Sequence, residues 1–249
     1  PKLLDAAIKT PLPNSAVENF VKFVEASQAR ENFLGILLDN QRFLEILLIL
    51  FGSSDGLSNI IIRRPEYMDV LISNESIHRF KHPETIFANL IQDLKRAANL
   101  GEKKNILRQF KKGEELRIGV RYLIRETDLI GTLTDLSTIA DIFLRAALET
   151  AKEEIGIKPS VEGVSEVENF AIFGMGKLGG NELNFGSDLD IVFVYDENED
   201  TASSDTLQTA ATKYMRLAQT IYALSTEMTF EGFAYKIDTN LTTEGNQGW

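Results

Sequence analysis

The chain has 249 residues, 43% hydrophobic and 25% charged, enough for one large domain or two modest ones. It has no cysteine and only two histidines, His78 and His82, which excludes disulfides and thiolate metal sites and argues against a zinc centre. The net charge is −11: residues 1–160 balance at 22 basic and 22 acidic side chains, whereas residues 161–249 carry 4 basic against 15 acidic. A nucleic-acid-binding surface needs the opposite sign, so no nucleic-acid partner is expected. No apolar run reaches 18 residues, and the N-terminus lacks a basic-then-apolar leader pattern. The expectation is a soluble cytoplasmic protein without membrane contact.

Residues 14–155 read as helices. Ser15-Ala-Val-Glu18 has the form of a capping box, followed by Val17, Phe20, Val21 and Val24 at helical spacing. Leu44, Leu47, Leu48 and Phe51 repeat that spacing before Gly52-Ser53-Ser54-Asp55-Gly56 interrupts the chain. Arg64-Pro65-Glu66 opens a short helix, and Pro83 introduces one to about Asn99. Gly101 is expected to separate it from the basic run Lys103–Arg125, whose simplest reading is a solvated amphipathic helix. Ile139, Ile142, Phe143 and Ala146 mark a last helix ending near Gly156. His78 and His82 stand four apart, but Pro83 follows and no acidic metal partner has clear spacing, so loop or surface roles are favoured.

The polar stretch with Pro159, Ser160 and Gly163 divides the chain into a helical domain, 1–156, a linker, 157–169, and a core, 170–249. Beyond the linker the period changes. Phe170–Phe173 and Ile191–Tyr195 are near-continuous apolar runs, as in central strands. Leu207, Ala210, Ala211, Tyr214, Leu217, Ala218 and Ile221 form an amphipathic helix, and 233–241 reads as a further strand carrying Asp238. The order is strand, short helix, strand, long helix, strand.

The chemistry concentrates between Phe170 and Asp196. A strand delivers the glycine turn Gly174-Met-Gly176-Lys177-Leu-Gly179-Gly180, and the next strand opens with Ser187-Asp188-Leu189-Asp190. Asp188 and Asp190 fall on one strand face, alpha carbons roughly 6.5–7 Å apart. Two carboxylates converging to 4 Å repel by about 4 kcal/mol at an effective dielectric of 20, and a divalent cation between them removes the conflict. Asp238 is the candidate third carboxylate of a two-metal site for nucleotidyl transfer. Glycine-turn amides can approach phosphates. The turn also matches a dinucleotide fingerprint, with Asp196 about twenty residues on as the ribose-binding acid. Only nine residues lie between Gly179 and Leu189, too few for a three-turn helix and its return loop. Milder readings stand beside these: a solvated strand entry for Asp188 and Asp190, a turn or cap for Ser187, and helix-start solvation for Lys177.

The run FGMGKLGGNELNFGSDLDIVFVYD resembles the signature of the bacterial glutamine synthetase adenylyltransferase/adenylyl-removing enzyme family. The segments Phe51–Ser54 through Arg64–Asp69, and Leu107–Ile118, are similar to stretches preceding that family's catalytic core. The resemblance implies an α+β architecture, a helical region followed by a polymerase-beta-like nucleotidyltransferase domain with a small mixed sheet. It implies Mg²⁺ or Mn²⁺ as cofactor, ATP as substrate, and glutamine synthetase as protein substrate, modified on a tyrosine. Family members carry two catalytic halves, one adding AMP and one removing it by phosphorolysis, and this chain holds one. The implied metal ligands and catalytic residues are Asp188, Asp190 and Asp238. Gly174, Gly176, Lys177, Gly179, Gly180 and Ser187 are the nucleotide-binding candidates. Whether a nitrogen-signalling regulatory protein docks on the helical region stays open, as does the choice between adding and removing AMP.

In one place the chain departs from the family pattern. After the third aspartate the family has D-x-R-L-R-P-x-G-x-x-G, and this chain has Asp238-Thr-Asn240-Leu-Thr242-Thr243-Glu-Gly245-Asn-Gln-Gly248. Neither Asn nor Thr replaces the charged fork of arginine toward phosphate. With Lys177, Lys213, Arg216 and Lys236 the only basic residues after 160, phosphate charge is expected to rest on metal and backbone amides. A catalytically silent nucleotide- or partner-binding module is the alternative. The chain stops soon after this strand, so a following domain is expected beyond it.

Overall fold

Prolines and short polar side chains set most of the helix starts. The structure, a computed structural model, describes residues 2–27, 35, 37, 40–68, 81–157, 170–195 and 204–238. Helix α1 is Lys2–Ala7 and α2 is Pro13–Ala26. Pro13 occupies the first turn of α2, and Leu12 is its N-cap without a side-chain bond. The capping box expected at Ser15 therefore does not form. The proline pre-sets the helical φ two residues earlier and puts Ser15 inside the first turn. Helix α3, Gln41–Phe51, is capped by Asn40, whose Oδ1 accepts from the Phe43 amide at 3.1 Å. Ser54 Oγ accepts from the Leu57 amide at 3.3 Å and starts α4, Asp55–Arg63. Pro65–Tyr67 follows as a single 3₁₀ turn.

Helix α5 is Pro83–Arg96, with His82 as N-cap, its Nδ1 accepting from the Glu84 amide at 3.4 Å. His82 thus has a loop role, and His78 lies outside the described residues. Helix α6, Leu100–Leu123, contains Gly101 in its first turn. The break falls at Ala97–Asn99 instead, where side chains and amides cap reciprocally. Asn99 Oδ1 accepts from the Glu102 amide at 3.0 Å, and Glu102 Oε2 accepts from the Ala98 amide at 2.7 Å. Helix α7, Leu129–Glu154, ends before Gly156 at φ +79°. Then come β1, Phe170–Gly174, the single turn α8, Gly176–Gly179, β2, Leu189–Tyr195, helix α9, Ser204–Thr226, and β3, Ile237–Asp238.

The chain forms two compact units, Pro1–Lys81 with Lys112–Thr132, and His82–Lys111 with Leu133–Trp249. The first is helical. Its core gathers Phe23, Leu47, Leu48, Leu50, Phe51, Ile61 and Leu116, with the Phe23 and Phe51 rings 5.6 Å apart. Buried Arg117 is neutralised there by Glu114, its Nε donating at 2.5 Å, and Lys81 reaches the same carboxylate at 3.1 Å.

The second unit holds the sheet. Strand β2 lies in the middle, antiparallel to β1 and parallel to β3, a small mixed sheet. Strand β1 is an edge of this sheet among the described residues, not a central strand. Its burial alternates between half-buried Phe170 and Ile172 and exposed Ala171 and Phe173. Phe170, Phe193 and Tyr195 turn to one face, where the Tyr214 ring of α9 stacks on Tyr195 at 4.9 Å and on Phe170 at 6.1 Å. The expected stripe of α9 is buried at Tyr214, Leu217, Ala218 and Ile221. By strand alternation Asp190, Val192 and Val194 belong to the opposite face. Strand β3 begins at Ile237 and not at 233, since 233–236 run as bend and loop backbone, and the segment after Asp238 lies outside the described residues. Among the described residues no helix is long and apolar enough to cross a membrane.

The basic run of α6 departs most from expectation. Within the second unit, Lys103 and Arg108 are buried instead of solvated. Burial of a cation is tolerated only where partners replace water. Lys103 Nζ donates to Glu153 at 2.9 Å and Glu154 at 2.8 Å. Arg108 donates to carbonyl oxygens of Lys104, Leu224, Glu227 and Gly232.

Candidate active site

The glycine turn is built onto the end of β1 by close packing. Helix α8 folds back so tightly that a Cβ on Gly179 would lie 2.5 Å from the Gly174 carbonyl oxygen, a backbone atom that cannot move aside. The Gly179 amide is already spent on the Met175 carbonyl at 3.0 Å, and the Gly180 amide on the Gly176 carbonyl at 3.0 Å. Gly176 sits at φ +52°, and a Cβ there would be 2.4 Å from Asp190 Oδ2. The Asp190 carboxylate therefore lies directly against the turn. The Met175 amide donates to the Asp190 carbonyl at 2.7 Å, locking turn and strand together. Lys177 is exposed on the turn.

The path from the turn to β2 is anchored from below. Leu183 is buried, and its amide donates to Ser137 Oγ of α7 at 3.0 Å. Ser187 closes the next turn reciprocally: its amide donates to the Asn184 carbonyl at 3.2 Å, and its hydroxyl accepts from the Asn184 amide at 3.2 Å. Ser187 and Asp188 precede the strand, which begins at Leu189, and Asp188 is exposed.

The parallel register pairs Leu189 with Ile237 and Asp190 with Asp238. Register partners on adjacent strands project to the same face, with strands about 4.8 Å apart. Asp190 and Asp238, 48 residues apart in the chain, thus flank each other beside Gly176, both half-buried. The Leu189 amide donates to the Lys236 carbonyl at 2.9 Å and holds this pairing.

As they stand, no three His, Cys, Asp or Glu side chains among the described residues converge into a metal cage. The donor chemistry nonetheless suits a hard divalent cation: the candidate ligands are all carboxylate oxygens, with no nitrogen or sulfur donor. The cleared space at Gly176 leaves the Asp190 carboxylate room that any side chain there would fill.

Reading along the chain gave no role to Met175, Ser137 or Arg108, and named Lys236 only for its charge. Met175 and Lys236 act through backbone atoms, which carry no residue signature. Ser137 is one hydroxyl in a helix, and Arg108 hides in a run that reads as solvated.

A glycine turn packed against an acidic strand pair on a small mixed sheet defines an α+β protein with an acidic candidate site among the described residues. Its family is equally plain. A family model described as glutamate-ammonia ligase adenylyltransferase matches residues 44–249, and the chain belongs to that family. Similar relatives are named bifunctional glutamine synthetase adenylyltransferase/adenylyl-removing enzyme. That of Chromobacterium violaceum is 30% identical over 249 residues, covering 100% of this chain and 26% of its own length. That of Pseudomonas aeruginosa is 30% identical over 259 residues, again 100% of this chain and 26% of the relative. That of Hahella chejuensis is 29% identical over 255 residues, with the same coverage. The chain thus spans about a quarter of the length of the curated relatives it matches.

Proposed function

We propose that the chain is a metal-dependent nucleotidyltransferase module of polymerase-beta-like fold that adds AMP to, or phosphorolytically removes it from, a tyrosine of glutamine synthetase. The observation that carries this reading is the register of Asp190 beside Asp238 against the Gly176 turn, in a chain of this family. Residues 170–249 would form the catalytic core after a helical domain, 1–156, and a linker, 157–169. The helices that share its compact unit serve as scaffold.

Asp188, Asp190 and Asp238 would hold Mg²⁺ or Mn²⁺. When bound, the metal would neutralise phosphate charge and lower the pKa of the attacking hydroxyl. The turn from Gly174 to Gly180, with Lys177 exposed on it and Ser187 at the far side, would orient the phosphates of ATP. In the adding direction the tyrosine oxygen forms a bond to the alpha phosphorus, the bond to pyrophosphate breaks, and pyrophosphate leaves. In the removing direction a phosphate oxygen attacks the phosphorus of the tyrosine-bound AMP, freeing the tyrosine hydroxyl and releasing ADP.

One sequence observation favours a second reading. Asn240 and Thr242 stand where the family has its arginines, which suits a catalytically silent module that binds nucleotide or the partner enzyme.

Intact-mass spectrometry of partly adenylylated glutamine synthetase, incubated with this chain, Mg²⁺, ATP and phosphate, separates the readings. Mass gained by one AMP identifies the transferase, and mass lost identifies the removing activity. Either change should vanish with EDTA and in Asp190→Asn. An unchanged mass with folded protein would overturn the enzymatic reading in favour of the silent one.

A further inference from the structure

The described part of β3 opens at Ile237, and the residues just before it, 233–236, lie outside any strand. The segment that delivers Asp238 opposite Asp190 is held from outside the sheet. The chain reaches β3 from the C-terminus of α9 through the turn Thr229–Gly232, where Thr229 and Gly232 exchange backbone bonds at 2.9 Å. Arg108 grips this segment. It is 0% exposed and the largest fully buried side chain among the described residues. Nε donates to the Gly232 carbonyl at 2.7 Å. Nη1 donates to Leu224 at 3.1 Å and to Lys104 of its own helix at 2.7 Å. Nη2 donates to the Glu227 carbonyl.

The chemistry explains why a buried arginine is tolerated without a carboxylate in hydrogen-bond contact. The last carbonyls of a helix lack intrahelical donors and carry the negative end of its dipole. A planar fork of five N–H groups takes the Leu224 carbonyl of that last turn together with the Glu227 and Gly232 carbonyls just beyond it. Glu227, ion-paired to Lys104, adds a nearby negative charge. The grip extends toward β3. The amides of Ala234 and Tyr235 donate to the Ser225 carbonyl at 3.0 and 3.1 Å. Gln109 Nε2 donates to Glu231 at 3.1 Å. The Tyr235 ring contacts Phe143 edge-on at 5.0 Å, and Lys111 Nζ lies over it at 4.8 Å.

We propose that Arg108 is a positioning residue for Asp238: by joining the end of α9 to Gly232, it fixes where the chain re-enters the sheet and so sets the Asp190–Asp238 pair. Its catalytic consequence rests on the function proposed above, whereas the positioning itself does not. A merely structural arginine would, when lost, loosen the whole unit evenly. A positioning one loosens the β2–β3 contact first.

The test is amide hydrogen exchange by NMR on the full chain with Arg108→Met, and with Arg108→Lys should the methionine variant fail to fold. The Leu189 amide, which bonds Lys236, should exchange at least about tenfold faster while the β1–β2 amides keep their rates. In the mass assay kcat should fall with KM for glutamine synthetase little changed, and Arg108→Lys should restore part of it. Unchanged exchange at Leu189, or equal acceleration throughout the sheet, would overturn the proposal. Selective loosening at Leu189 in a protein that moves no AMP would uphold the positioning role and remove only the enzymatic reading.

Discussion

Gly176 and Asp190 are so closely apposed that any side chain on the glycine would push the carboxylate aside: a Cβ there would lie 2.4 Å from Asp190 Oδ2, at a backbone φ of +52°. The turn is therefore shaped around the carboxylate. Gly176→Ala combines left-handed strain of about 1–2 kcal/mol with displacement of that carboxylate. Chemical denaturation should show a loss of at least that size. Mn²⁺ affinity, read by isothermal calorimetry, should fall together with it. Retained affinity would mean that Asp190 does not ligate the metal.

Gly179 and Gly180 are neighbours with opposite expected responses. At Gly179 an added methyl meets the Gly174 backbone carbonyl at 2.5 Å, so Gly179→Ala should cost about 1–3 kcal/mol by overpacking. At Gly180 the nearest atoms belong to the flexible Glu182 side chain at 3.3 Å, and the backbone is ordinary at φ −80°. Gly180→Ala should be neutral, or stabilise by up to about 1 kcal/mol, in thermal melts. A drop in nucleotide affinity without loss of stability at Gly180 would place the nucleotide against the turn.

Ser137 supports the loop to β2 from α7. Ser137→Ala leaves the amide of buried Leu183 without its acceptor and should cost about 1–3 kcal/mol in urea unfolding. Ser137→Thr, which keeps the hydroxyl, should recover part of that loss if the extra methyl is accommodated.

Lys103 gives a pH dependence. Burial pushes its pKa down, but the hydrogen bonds and charges of Glu154 and Glu153 outweigh this and hold it above the ordinary 10.5. A group raised in the folded state contributes stability in full below its unfolded pKa and loses it as pH rises through the folded one. The stability difference between the wild type and Lys103→Met should thus be constant up to about pH 9.5 and shift against the wild type above about pH 10.5. Urea midpoints at pH 8, 10 and 11 would check it, and a shift near neutrality would contradict it.

What could be read along the chain was what short-range chemistry sets. Apolar runs either side of a glycine turn specified strand, turn and strand from Phe170 to Tyr195, and helical spacing specified α9. The local rules misled where a neighbour two residues away competed. Pro13 displaced the cap expected at Ser15, and Asn99 with Glu102 moved the break expected at Gly101. The apolar character of β1 suggested a central strand. Phe173, 54% exposed, shows instead that hydrophobicity alone does not report how many neighbours a strand has.

The sequence by itself pointed to the candidate residues, the glycine turn and the acids Asp188 and Asp190, of which only Asp190 lies in the strand, and to the family to which the chain belongs. Only the tertiary structure decided which of them meet. The pairing of Asp190 with Asp238 is a register between strands 48 residues apart, and register is set by long-range packing that no local pattern encodes. Arg108 is the extreme case. In sequence it is one cation in a basic run, and in the fold it is buried against the carbonyl end of another helix. A charge can leave water when enough oriented oxygens replace it, and those oxygens come from residues 224 to 232, more than a hundred positions away.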